Sequence, residues 1–302
     1  MNINSFLDEI KKGNHYYIAR AISILENKES DYKEVLKRIY PLKKSSIKIG
    51  ITGAPGSGKS SLTNKLIEKY LKENKRIGVL AVDPSSPISG GALLGDRLRM
   101  IGHSNNDNVF IRSLASRGSI GGLNSSIFEI IDLLDYAGFD IVLIETVGVG
   151  QSEIDIVNVA DMVLMLLTPS SGDEIQMFKA GIVEIADIFV INKVDLGNAD
   201  KKELEIKNYF ALTDTEPIIS KTSVKESIGI DELVKNINEF YINNKERIEE
   251  KKRRLKKQFV LKIIMDKVND YFNYKINMEE LLNQGLDPME LAGLIIKGIK
   301  NE

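Results

Sequence analysis

Apolar positions change their spacing twice along the chain. Over residues 1 to about 44 they recur at helical intervals: Phe6 and Ile10, then Ile18, Ile22 and Leu25, then Val35 and Ile39, with Pro41 closing the stretch. That spacing gives each segment one apolar stripe, so it predicts amphipathic helices. From about 45 to 240, short apolar runs alternate with helical segments. The runs are "SIKIGIT" (46–52), "RIGVLAV" (76–82), "VFIR" (109–112), "DIVLIET" (140–146), "MVLMLLT" (162–168), "DIFVIN" (187–192) and "PIIS" (217–220). Several are apolar throughout, as strands covered on both faces are. The alternation predicts an α/β fold, a mainly parallel sheet with helices on both sides. From about 241 helical spacing returns. There "NNKERIEEKKRRLKKQ" reads as a solvated helix face, with a dimerisation arm as the other reading. Asp287 as N-cap, Pro288 after it and Glu290 at N3 mark one more helix start. The expected organisation is a helical extension at 1–44, an α/β domain at 45–240 and a helical arm at 241–302.

Composition narrows the classes. The chain has 302 residues, a length for about two domains, and its 43% hydrophobic content can fill a sizeable core. A net charge of -2 exerts no general pull on nucleic acid or anionic membrane, so neither is expected as a partner. No apolar run reaches the length of a membrane span, and the charged N-terminus lacks the apolar core of a signal peptide. There is no Cys and there are two His, which excludes disulfides and thiolate metal sites and makes the cytoplasm the expected location.

The chemistry starts at "ITGAPGSGKSSL" (51–62), where Gly53, four residues, then Gly58-Lys59-Ser60 fit the phosphate-loop pattern G-x-x-x-x-G-K-[ST]. A β-prone run precedes it, and Leu62, Leu66, Ile67 and Leu71 follow at helical spacing. Strand, glycine loop and helix are what an anion site needs. Glycines let backbone N–H groups curl around phosphate, and the helix N-terminus adds partial positive charge. Gly53, Ala54, Pro55, Gly56, Ser57, Gly58, Lys59, Ser60 and Ser61 are the candidate phosphate binders. Lys59 would reach the β- and γ-phosphates, and Ser60 would ligate Mg2+. The bland alternative is a Gly-rich turn that binds nothing.

"INKVD" (191–195) selects the base. It follows an apolar strand, at the sheet edge where α/β folds present residues to ligands. Asp195 can accept from guanine N1–H and the 2-amino group together, whereas adenine offers no 2-amino group. Asn192 would brace the base, and the stem of Lys193 would cover its face. Ser223, Val224 and Lys225, in "TSVK" after the last strand, could present a backbone N–H to guanine O6. In "VLIETVGVGQSE" (142–153), Glu145 stands at a strand tip and Gly148 follows. Glu145 could hold the water shell of magnesium or the attacking water, and Gly148 N–H could sense the γ-phosphate. Asp83 and Asp96 add carboxylates that suit a hard cation. A strand cap for Glu145 and ordinary loop aspartates are the competing readings.

At this point the sequence resembles the MeaB/ArgK (MMAA-like) family of P-loop GTPases, within the SIMIBI group. The resemblance rests on "GAPGSGKSSL", "AVDPSSPISGGALLGDRLRM", "FIRSLASRGSIGGL", "ETVGVGQSE", "SSGDEIQMFKAGIVEIADIFVINKVD" and "TSVK…GIDEL". It is dense over about 45–240 and looser in the flanks. It implies a SIMIBI-type P-loop sheet and GTP hydrolysis to GDP with Mg2+. It also implies a role as chaperone of an adenosylcobalamin-dependent acyl-CoA mutase, chiefly methylmalonyl-CoA mutase, gating cofactor loading and protecting or reactivating the mutase. No cobalamin of its own is expected, and a homodimer through the C-terminal arm is. By position, Lys59 and Ser60 match the phosphate lysine and metal ligand. Asp83 and Asp96 match acidic residues around magnesium and the first switch, Glu145 and Gly148 the second switch, and Lys179 a lysine in a third mobile segment. Leu98, where threonine is common, and Ser113-Leu114, in place of a proline-containing pair, depart from the pattern in what read as switch loops. The rival readings are a transport-linked kinase and a nickel metallochaperone. No acceptor site favours the first, and the scarcity of Cys and His tells against the second. A nucleotide-binding scaffold without turnover is the third.

Overall fold

The computed structural model describes residues 2–83, 102–103, 106–115, 126–146, 155–169, 182–211, 216–275, 287 and 289–293. They fall into two compact units, Met1–Ile248 and Glu249–Glu302.

In the first unit, three helices come first: α1 (Ile3–Lys11), α2 (His15–Glu26) and α3 (Tyr32–Ile39). Side chains set the starts of α1 and α2. Asn2 Oδ1 accepts from the N–H of Asn4 and Ser5, and Asn14 Oδ1 from that of Tyr16, the orphan donors of each first turn. Pro41 follows α3 in a 3-10 turn, Tyr40–Leu42. Then come β1 (Ile47–Gly53), α4 (Lys59–Lys72), β2 (Ile77–Asp83), β3 (Val109–Ala115), α5 (Ile127–Ala137), β4 (Ile141–Thr146), β5 (Met162–Leu167), β6 (Ile188–Asn192), α6 (Ala199–Phe210), β7 (Ile218–Thr222) and α7 (Ile230–Asn243).

The seven strands form one parallel sheet in the order β3-β2-β4-β1-β5-β6-β7. This is the α/β architecture with a parallel sheet that the apolar runs predict. Even the fully apolar strands divide their side chains by face. Val142 and Ile144 of β4 join the cluster that holds α1, α2, α3 and α5, while Ile141 and Leu143 join the cluster that holds α4 and α7. A smaller third cluster packs Ile206 of α6 on Met165, Leu167, Phe189 and Ile191. The N-terminal stripe residues Phe6, Ile10, Ile18, Ile22, Leu25, Val35 and Ile39 are all buried with Ile130, Leu133 and Leu134 of α5. The N-terminal helices are thus one layer of the first unit.

Three aspartates set the lower edge of the sheet. Each precedes a strand and accepts the N–H of a residue at the start of the neighbouring strand: Asp140 from Arg76, Asp161 from Lys48 and Asp187 from Val163, at 2.8, 3.0 and 2.9 Å. Beside them lies a buried ion pair. Lys48 Nζ is 3.0 Å from Asp135 Oδ2, and Ser46 N–H donates to the other oxygen of that carboxylate at 2.9 Å.

Boundaries differ from expectation at one point of consequence. Ser113 and Leu114 belong to β3, not to a loop: they continue its register with Ala81 and Val82 of β2, and both are buried. Leu98 lies outside the described residues. The long helix α8 (Lys245–Lys275) carries the charge run. Within the second unit it exposes Val260, Leu261, Ile263, Ile264 and Met265. Asp287 Oδ1 accepts from the N–H of Met289 and Glu290, the capping its sequence indicates. Among the described residues no helix is long and apolar enough to cross a membrane.

Candidate functional site

The site is built where β1 meets α4. Gly53, the last residue of β1, has φ +140, and a Cβ there would lie 2.3 Å from the carbonyl oxygen of Leu166. Gly58, the N-cap of α4, has φ +99, and a Cβ there would lie 2.3 Å from Asn192 Nδ2. Both the backbone conformation and the close approach require glycine. Between them Pro55 and Gly56 are exposed and Ser57 is buried. Lys59 Nζ donates to the carbonyls of Gly53 and Ala54, at 2.6 and 3.1 Å, so its charge lies inside the loop. The first N–H groups of α4 have no partner within the helix and carry its positive end. Loop amides, helix terminus and ammonium form a cradle chemically suited to phosphate.

β4 lies beside β1, with Glu145 in register with Ile51. That neighbour relation brings Glu145 to the first turn of α4. Ser60 Oγ donates to Glu145 Oε1 at 2.6 Å, and Thr63 Oγ1 lies 2.9 Å from Glu145 Oε2 and 3.0 Å from Lys59 O. Glu145 is 6% exposed and Thr63 fully buried. β2 flanks β4 on its other side, with Val82 in register with Thr146, so the backbone of Asp83 ends one strand away. The side chain of Asp83 lies outside the described residues, as do Asp96, Gly148 and Lys179.

β6 delivers the other half. Asn192 ends the strand, Lys193 turns in the left-handed region (φ 62), and Asp195 sits in the 3-10 turn Val194–Leu196. Asn192 Nδ2 donates to Ser57 O at 2.8 Å, and Lys193 Nζ to Gly56 O at 2.7 Å. Asn192 Oδ1 accepts from Thr222 Oγ1 at 3.2 Å and faces Val224 N at 3.4 Å. The Asn192 amide therefore ties the phosphate loop to the β7 exit. It braces the loops, beside the role of bracing a base that the sequence suggests for it. Ser223 Oγ donates to Asp195 Oδ1 at 2.6 Å, and no described residue bonds Oδ2 of this exposed carboxylate. Lys225 and Ser61 are exposed. Thr63 and Thr222 are the side chains the sequence reading did not single out. Thr63 follows Ser60 at the i,i+3 spacing that shares a helix face, which is a signal only once β4 is known to lie opposite. Among the described residues no group of three His, Cys, Asp or Glu could hold a metal ion by itself.

A parallel sheet with a phosphate loop after its central strand, and N-K-x-D two strands away at the same edge, defines a P-loop GTPase. The model of the methylmalonyl-CoA mutase-associated GTPase MeaB family matches residues 18–277. The chain belongs to that family and is a GTP hydrolase. A Pyrococcus horikoshii protein described as a candidate GTPase is 40% identical over 98% of this chain and 98% of its own length. The mouse methylmalonic aciduria type A homolog is 32% identical over 96% of this chain and 78% of its own, and GTPase ArgK of Escherichia coli is 33% identical over 74% and 71%. Among solved structures, an LAO/AO transport system kinase has a TM-score of 0.69 at 23% identity, covering 98% of this chain and 97% of its own. HypB from Helicobacter pylori, solved in complex with nickel, has a TM-score of 0.52 at 19% identity over 70% and 94%. Likeness at these identities speaks for the fold.

Proposed function

We propose that this edge of the sheet binds GTP with Mg2+, and that hydrolysis there serves an adenosylcobalamin-dependent acyl-CoA mutase. One observation carries the nucleotide assignment. Asn192 and Lys193 hydrogen-bond to Ser57 and Gly56, residues 135 and 137 positions away, so base motif and phosphate loop form one bonded unit. The backbone from Gly53 to Ser61 holds the phosphates, and Lys59 leaves the loop carbonyls for the β- and γ-phosphates. Asp195, aimed by Ser223, pairs with guanine N1–H and the 2-amino group. The stem of Lys193 covers the base, and the Val224–Lys225 backbone meets O6. A magnesium ion fits the donor set, because the hydroxyl of Ser60, held by Glu145, is a hard oxygen ligand, and Mg2+ bound to triphosphate takes few protein ligands. Asp83 and Asp96 are proposed around it and Gly148 at the γ-phosphate. Catalysis of phosphoryl transfer is mostly positioning and charge neutralisation.

The mutase role is supported by the family's description and by the mouse relative's name. In this reading the protein gates cofactor loading and protects or reactivates the mutase, works in the cytoplasm, binds no cobalamin itself and dimerises through residues beyond about 240. The helical segment 1–44 and the G domain 45–240 then share the GTP-dependent part.

Competition binding tests the base: GTP and GDP bind far better than ATP and ADP, and Asp195→Asn shifts preference to xanthine nucleotides. Comparable GTP and ATP affinity in the unmutated protein would remove the assignment. Turnover tests the chemistry: Lys59→Ala abolishes it, and Glu145→Ala lowers kcat more than it weakens binding. Alone, the rate is expected on the order of 10⁻⁴ to 10⁻² per second, and the cognate mutase raises it. An unchanged rate in a verified complex would sink the mutase role, and Lys179→Ala should blunt the rise.

A further inference from the structure

We infer that Thr63 is a positioning residue for Glu145, holding the carboxylate that in turn orients the Ser60 hydroxyl; this rests on the reading of Ser60 and Glu145 as the magnesium side of the site. Thr63 stands three residues after Ser60 on α4, so their hydroxyls share one helix face, and that face meets the tip of β4. Each hydroxyl takes a different oxygen of the same carboxylate: Ser60 Oγ at 2.6 Å from Oε1 and Thr63 Oγ1 at 2.9 Å from Oε2. A terminal carboxylate torsion is broad by itself, and a contact on each oxygen fixes it. Thr63 has one proton and two acceptors within reach, Glu145 Oε2 and Lys59 O at 3.0 Å. A carboxylate is the stronger acceptor of the two. A threonine inside a helix commonly bonds back to the carbonyl four residues earlier and has no further role. Here the full burial of Thr63 and the second contact, to a residue 82 positions away, set it apart. With Oε2 held, Oε1 stays at Ser60. The Ser60 hydroxyl then gives its proton to Glu145 and keeps its lone pairs for a cation.

The test is Mg2+ titration of GTP turnover in the full chain. Thr63→Val keeps the shape and removes the hydroxyl. The half-saturating Mg2+ concentration is expected to rise about tenfold and kcat to fall about three- to tenfold, the scale of one intramolecular hydrogen bond. GDP affinity in EDTA should stay near the parent value, and the melting midpoint should fall, because Glu145 Oε2 loses a buried partner. Thr63→Ser, which restores the hydroxyl, should bring both kinetic values back to within about twofold. Thr63→Val added to Glu145→Gln should change the Mg2+ dependence of GDP binding no further. Parental Mg2+ dependence in Thr63→Val overturns the inference, and so does equal damage in Thr63→Val and Thr63→Ser, which would mean that the hydroxyl does not account for the effect. If the valine variant does not fold, Thr63→Ala carries the same measurement. Glu145→Gln with parental Mg2+ dependence would instead remove the magnesium reading and this inference with it.

Discussion

At the scale of single residues, Gly58 shows how tightly the two motifs are fitted. Its φ of +99 is left-handed, and the space where a Cβ would go belongs to Asn192 Nδ2, 2.3 Å away. Gly58→Ala therefore forces a shift of the very amide that bonds to Ser57 O. Backbone strain alone costs about 1–2 kcal/mol. The expected result is a fall in GDP affinity of at least about tenfold, read by titration calorimetry, and a lower melting midpoint. Much at this scale was legible in advance. Lys59, Ser60 and Asp195 occur in patterns whose spacing encodes a strand–loop–helix or a strand end. Thr63 was not legible, since a threonine within a helix is ordinary until the residue facing it is known. That the Asn192 amide also bonds Ser57 O, 2.8 Å away, is not legible in the sequence.

At the scale of elements, the lower edge of the sheet depends on buried charge. Lys48 and Asp135 face each other with side chains 9% and 4% exposed. Removing one partner of such a pair leaves an uncompensated charge, at a cost of about 3–5 kcal/mol. Asp135→Ala should accordingly lower unfolding free energy by that amount in urea titrations. Asp161→Ala, which leaves the Lys48 N–H without its acceptor, should cost less, about 1–3 kcal/mol. The reverse order would show that the ion pair is dispensable. Strand positions were readable because Ile, Val and Leu runs are long and uninterrupted. The apolar run in the sequence ends at Arg112, and β3 continues to Ala115 because Ser113 and Leu114 keep pairing with Ala81 and Val82 of β2. Among the described residues it is an edge strand of the sheet, paired only with β2.

At the scale of the whole molecule, the N-terminal helices and the sheet share one core. Ile18, Ile22 and Val35 are fully buried in the cluster that holds α5. Burying such a side chain contributes about 1.5–3 kcal/mol, and deletion of residues 2–42 removes these while uncovering Ile130, Leu133 and Leu134 of α5. That truncation should melt far lower than the parent or fail to express in soluble form. A chain ended at residue 248 keeps the first compact unit entire. It should bind GDP as the parent does and, on the proposed dimer role of the later residues, run as a monomer in analytical ultracentrifugation. A dimer at that length would move the interface into the first unit.

The sequence by itself determined the class of fold, the phosphate loop, the guanine motif and the helical character of both flanks. All of these follow from local rules: side-chain period, glycine conformational freedom and motif spacing. Only the tertiary structure decided which segments meet. β4 inserts between β2 and β1, so Glu145, 85 residues from Ser60, lands on the first turn of α4. The apolar stripes of α1, α2 and α3 announce burial but not against what, and the fold gives them α5. Strand order and helix partners depend on long-range packing, which no periodicity along the chain encodes.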